Sequence, residues 1–125
     1  MNNKELMKKV IELDTQPLYT REQSQRVMIQ ISIIRKAFGV KNSETDAKVL
    51  DYERERILSN QEIEKEFKQY VGYWEWAIKP NNQDKARTFE NQVYDFIEGV
   101  RFFDENLAES FKESFAILFK NRLKL

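Results

Sequence analysis

Large apolar side chains recur every three or four residues along most of this chain, and very little interrupts them. From residue 86 onward Ala86, Phe89, Val93, Phe96, Val100, Phe103 and Leu107 keep that spacing, and Phe111, Phe115 and Leu118 extend it. A period near 3.6 gathers such residues on one side of an α-helix. Only three glycines and two prolines punctuate the 125 residues, too few for the tight turns of an all-β fold. The expected fold is all-α, an irregular bundle of five or six amphipathic helices around an aromatic-rich core. The length fits one domain, residues 1–125.

Start and stop signals divide the pattern. Thr20-Arg21-Glu22-Gln23 and Ser59-Asn60-Gln61-Glu62 match the capping box, in which a hydroxyl accepts from a free backbone N–H and the residue three places on reaches back. Ser43-Glu44-Thr45-Asp46 is a looser version, and Gly39 and Pro80 mark stops. These marks predict helices near residues 3–14, 20–38, 44–58 and 60–79. Residues 83–122 form one long helix or two, and Phe102-Phe103-Asp104 reads better as a corner with Asp104 as N-cap. In the segment 20–38, Val27, Ile29, Ile31 and Ile33 alternate as in a strand, but no other stretch offers that strand a partner. As a helix it carries Val27, Ile31, Ile34 and Phe38 on one side and Ile29, Ile33 and Ala37 on another. It is therefore expected to be the central, most buried helix.

Composition removes most chemistry. With no histidine and no cysteine there is no Ser-His-Asp triad, no thiol nucleophile, no thiolate-bound zinc and no iron–sulfur cluster. Gly39, Gly72 and Gly99 stand too far apart for a phosphate-cradling loop, and no cofactor is implied. A carboxylate-only, magnesium-dependent nucleotide hydrolase survives this filter; it needs acidic pairs one turn apart on two facing helices. Asp95 with Glu98 is the one such pair three apart. The pairs four apart, Asp51–Glu55 and Glu62–Glu66, are interleaved with Arg54, Arg56, Lys65 and Lys68, as surface salt pairs are. The chain is accordingly read as a non-enzyme without a metal site.

Ile34-Arg35-Lys36-Ala37-Phe38-Gly39-Val40, followed by Ser43-Glu44-Thr45 and Ala47-Lys48-Val49-Leu50, loosely resembles the turn of a helix-turn-helix. Lys41, Asn42 and Lys48 would then contact DNA, but Glu44 and Asp46 would face phosphates. The 21 basic and 21 acidic residues balance, which also disfavours nucleic acid as the partner. That reading stays the first alternative.

Recognition of another protein remains. Successive helical residues turn by about 100°, so Trp76 falls nearly opposite the stripe of Ile63, Phe67, Val71, Trp74 and Ile78. With Gln69, Gly72 and Tyr73 it makes a second face, and Trp and Tyr dominate interface hot spots. The competing reading sandwiches this face against the N-terminal helices. Glu105, Glu109 and Glu113 form a row of like charges, which costs a helix some stability and would suit a basic partner or a solvated face. Charge is uneven overall: residues 1–41 hold eight basic side chains and four acidic ones, while residues 95–113 hold six acidic ones against Arg101 and Lys112. The expected function is a protein-binding module, of the kind that includes inhibitors, immunity proteins, antitoxins and anti-defence proteins. Its expected partner is a protein or a second copy of the chain. With no apolar run of membrane-spanning length and no signal-like start, the chain reads as soluble and cytoplasmic.

Overall fold

The computed structural model describes residues 20–40, 55–79 and 83–123, together with Glu12 and Pro17. Four helices lie among them: α1 (Arg21–Phe38), α2 (Asn60–Ile78), α3 (Gln83–Arg101) and α4 (Glu105–Leu123). The all-α class holds, and no strand occurs among the described residues. Of the five or six helices expected, the one near 3–14 (Glu12 apart) and residues 44–54 of the one near 44–58 lie outside the described residues. Residues 55–58 are not helical, which corrects the end expected at 58. Instead the Ile57 and Leu58 N–H groups both donate to the Ala37 carbonyl, at 2.7 and 3.2 Å.

Local chemistry sets the helix ends. Both capping boxes close, with Thr20 and Gln23 exchanging hydrogen bonds of 3.1 Å and Ser59 and Glu62 doing the same. α1 stops where Gly39 turns left-handed at φ 69°, and the Val40 N–H reaches back to the Arg35 carbonyl at 2.8 Å. The apolar register of residues 86–118 runs on without a break, yet the chain turns at Phe102–Phe103. Asp104 makes the corner: its carboxylate accepts from the Leu107 N–H at 3.0 Å, capping α4, and from Arg56 at 2.9 Å. Arg56 also donates to the Leu58 carbonyl and to Asn60, and lies over the Phe103 ring. One guanidinium thereby ties the segment before α2 to the α3–α4 corner.

α3 is the helix that packs on all the others. It runs antiparallel to α2, with Phe96 beside Phe67 and Tyr70 and Phe89 beside Tyr73 and Trp76. It also runs antiparallel to α4, with Tyr94 against Phe115 and Phe96 against Phe111. Phe67 stacks on Phe111 at 4.4 Å and Trp74 meets Phe115 edge-on at 5.0 Å, so the three-helix core is largely aromatic. α1 is buried on two sides, as expected. Ile33 enters that core, while Val27, Ile31, Ile34, Ala37 and Phe38 form a second cluster closed by Leu58, Phe102 and Phe103. Its expected central place belongs to α3, however.

The reason is Gly99. A Cβ built there would lie 2.6 Å from Ile33 Cγ2 and 3.0 Å from the Gln30 Cα, so α1 crosses α3 backbone against side chain with no room to spare. Replacing Gly99 by Ala gains helix propensity of about 1 kcal/mol but overpacks a buried contact, which typically costs about 1–3 kcal/mol. Because one of the atoms in the way is backbone, Gly99→Ala is expected to lose about 1–2 kcal/mol net. Urea unfolding measures this, and an unchanged midpoint would show that the crossing is not tight.

Candidate functional site

The α2 helix divides its residues sharply. Ile63, Phe67, Val71, Trp74 and Ala77 are buried, whereas Tyr73 and Trp76 are 54% and 58% exposed. The sequence-predicted Gln69, Tyr73 and Trp76 come together with Gly72, and α3 adds Phe89. These five residues line an open cavity of about 670 Å³. Phe89 is its wall: its ring lies 5.9 Å from that of Tyr73 and 6.5 Å from that of Trp76, nearly perpendicular to the latter. The Lys85 ammonium sits 5.6 Å from the centre of the Trp76 ring and holds one of its faces. Gly72 is the gap, since a Cβ there would meet no atom within 4 Å. The surface is thus aromatic, carried on helices, and notched in the middle.

Sequence reasoning missed Phe89 and Lys85. Phe89 belongs to the α3 core stripe by spacing, and nothing local marks it as half-buried at the cavity. Among the described residues α1 lies along the second half of α3, from Asp95 beside Arg26 to Phe103 beside Phe38, which leaves the Phe89 end beyond it. Lys85 is one turn before Phe89, so a helical wheel would have placed it on the same side.

The acidic row is not brought to this surface. Arg101 gathers it instead, with Glu98 at 3.1 Å, Glu105 at 3.9 Å and Glu109 at 2.5 Å. The bond from Arg101 holds the Glu109 carboxyl below its ordinary range. Arg101 lies twelve residues along α3 from Phe89, about 18 Å at 1.5 Å per residue. Glu105 and Glu109 therefore form a paired cluster at the opposite end of α3, and Glu113 is exposed further along α4. None of the three rims the aromatic cavity.

Asp95 and Glu98, weighed as metal ligands, engage different groups. Glu98 is held by Arg101, and Asp95 lies half-buried beside Arg26 of α1. Among the described residues no group of three or more carboxylates could hold a metal. Of the helix-turn-helix-like stretch, Ile34–Val40 is described and Gly39 serves as the end of α1, while Lys41, Asn42 and Lys48 lie outside the described residues. No described helix is long and apolar enough to cross a membrane. No family model, curated protein or solved structure matches the chain.

Burial raises the Asp95 carboxyl from its ordinary 3.8 to about 6, and Arg26 only partly offsets this. A carboxyl raised on folding favours the fold fully below its unfolded pKa, and that contribution is lost as pH rises through the folded value. The window here is pH 3.8 to about 6. Asp95→Asn is expected to be more stable than the parent chain at pH 7, by on the order of 1 kcal/mol after allowance for solvent screening. The difference should vanish near pH 4, and chemical denaturation at both pH values checks it.

Proposed function

We propose that this chain is a non-enzymatic protein-binding module, and that the α2–α3 surface of Gln69, Tyr73, Trp76 and Phe89 is its contact site. One observation carries the reading: Trp76 and Tyr73 stand more than half exposed beside an unfilled notch, on the side of α2 away from the core. Large aromatic side chains in water gain by transfer into a partner, and rigid ones lose little entropy on binding. Trp and Tyr at the centre of a patch are the usual anchors of an interface. The single amide of Gln69 and the cation of Lys85 supply polar contacts at the edge, the pattern of an apolar centre with a polar rim. The biological class, among inhibitors, immunity proteins, antitoxins and anti-defence proteins, is an analogy from the small cysteine-free all-α type.

The two tryptophans of α2 give the test. Trp74 is 1% exposed and packs on Phe115 and Phe119, so Trp74→Ala should cost folding about 3–5 kcal/mol. Trp76→Ala should leave the thermal midpoint nearly unchanged and weaken partner binding by roughly 2 kcal/mol or more. A partner isolated from the native host on the parent chain should be released by both Trp76→Ala and Tyr73→Ala. If Trp76→Ala unfolds the chain as Trp74→Ala does, this face is core and the proposal fails.

A further inference from the structure

The aromatic surface continues past Tyr73. Tyr70 is one turn further along α2 and Gln92 one turn further along α3, and both line a second open cavity of about 390 Å³. α1 closes its far side with Arg21, Met28 and Ile29. Because α2 and α3 run antiparallel, the two cavities follow one another along a single groove. Large apolar and aromatic side chains line it from end to end: Phe89, Trp76 and Tyr73 first, then Tyr70, Ile29 and Met28. Met28 is 68% exposed, more than either aromatic anchor.

Charge at the groove has one sign. Arg21 lines it at the α1 end, and the Lys85 ammonium stands over Trp76 at the other. No carboxylate lines either cavity among the described residues. Within a turn of the groove, Glu66, Glu75 and Asp95 lie with Lys36, Arg122 and Arg26, and Glu90 lies beside Tyr94. Glu22 and Asp84 are each rotated by about 100° from the cation next to them. Both cations also sit in the first turn of a helix, Arg21 opening α1 and Lys85 near the start of α3. The free N–H groups there already carry partial positive charge, so each cation adds to the field of the helix end and destabilises it slightly.

We infer that this groove takes an acidic amphipathic helix of a partner protein, its apolar stripe laid over Trp76, Tyr73, Tyr70 and Met28 and its carboxylates set against Lys85 and Arg21. A helix suits the spacing, since Tyr70 to Trp76 covers about 9 Å along α2, nearly two turns of a docked stripe. The inference rests on the contact-surface reading and adds the second cavity and the charge of the occupant. Single-stranded nucleic acid fits less well. It calls for a row of cations and open ring faces, whereas Lys85 already holds a face of Trp76.

Two synthetic amphipathic helices of about five turns serve as probes, alike in a leucine stripe, one flanked by glutamate and the other by lysine. They are titrated into the full chain and followed by tryptophan emission. The glutamate peptide should bind at least about tenfold more tightly, with the difference narrowing as salt is raised. Arg21→Glu combined with Lys85→Glu should reverse the preference. The thermal midpoint should stay equal or rise, because acidic residues suit a first turn. Met28→Asp, at an exposed position, should weaken the glutamate peptide at least about fivefold without unfolding the chain. The inference is overturned if the lysine peptide binds as tightly, or if neither peptide binds up to about 1 mM. A preference unchanged by the charge reversal, or tighter binding of oligothymidylate than of the glutamate peptide, would overturn it too. Binding that is lost in Trp76→Ala but indifferent to Met28→Asp and to the reversal would sink this inference and leave the contact-surface reading standing. Unfolding by Trp76→Ala would end both.

Discussion

α1 passes over α3 at Gly99 with no room for a side chain there, and the packing of the described helices is built around that crossing. With no side chain at that position, α1 settles against α3 through Ile33 and the Gln30 backbone, parallel to α3 and along its second half. Val93, Phe96, Ile97 and Val100 are then free to serve α2 and α4, and all four are buried. Three helices around one is a demanding arrangement for a helix of 19 residues, and it is eased because at Gly99 α3 brings no side chain to its crossing with α1.

That arrangement also decides what is left over. α2 and α4 lean on α3 from their inner sides, with Phe67 stacked on Phe111 and Trp74 enclosed by Phe115 and Phe119. On the outer side of α2, α3 reaches only the edge, through Phe89 and Lys85, and leaves Tyr73 and Trp76 more than half exposed. Two residues along a helix is a rotation of about 200°, so Trp74 and Trp76, chemically identical, meet opposite fates. One is the largest fully buried side chain, and the other is among the most exposed apolar ones. Folding gains nothing from leaving a tryptophan in that position, which is why the face is proposed as a contact surface.

What was legible in the sequence was what is decided locally. The Thr20 and Ser59 capping boxes, the Gly39 stop, the α2 core stripe and its opposite face each depend on residues within a turn or two. The corner at Phe102–Phe103 was only half legible, because the apolar register continues across it and just the N-cap chemistry of Asp104 marks the break. Centrality was misread for a different reason: apolar residues on two sides of α1 report how much is buried, not how many helices bury it. Gly99 looks like a weak point in a helix until α1 lies on it. The acidic row shows the same limit. Arg101 is four residues before Glu105 and visibly paired with it, but Glu109 reaches the same guanidinium only because the corner folds α4 back along α3.

The central claim is that the outer face of α2 is open to solvent in the free chain, and the two tryptophans make it directly measurable. Acrylamide quenching of tryptophan fluorescence, taken on dilute parent chain and on Trp76→Phe, separates their contributions. The account predicts two components: a red-shifted one that is readily quenched and disappears in Trp76→Phe, and a blue-shifted, protected one from Trp74. Equal protection of both tryptophans at high dilution would mean that the face is covered within the chain, and would contradict the account.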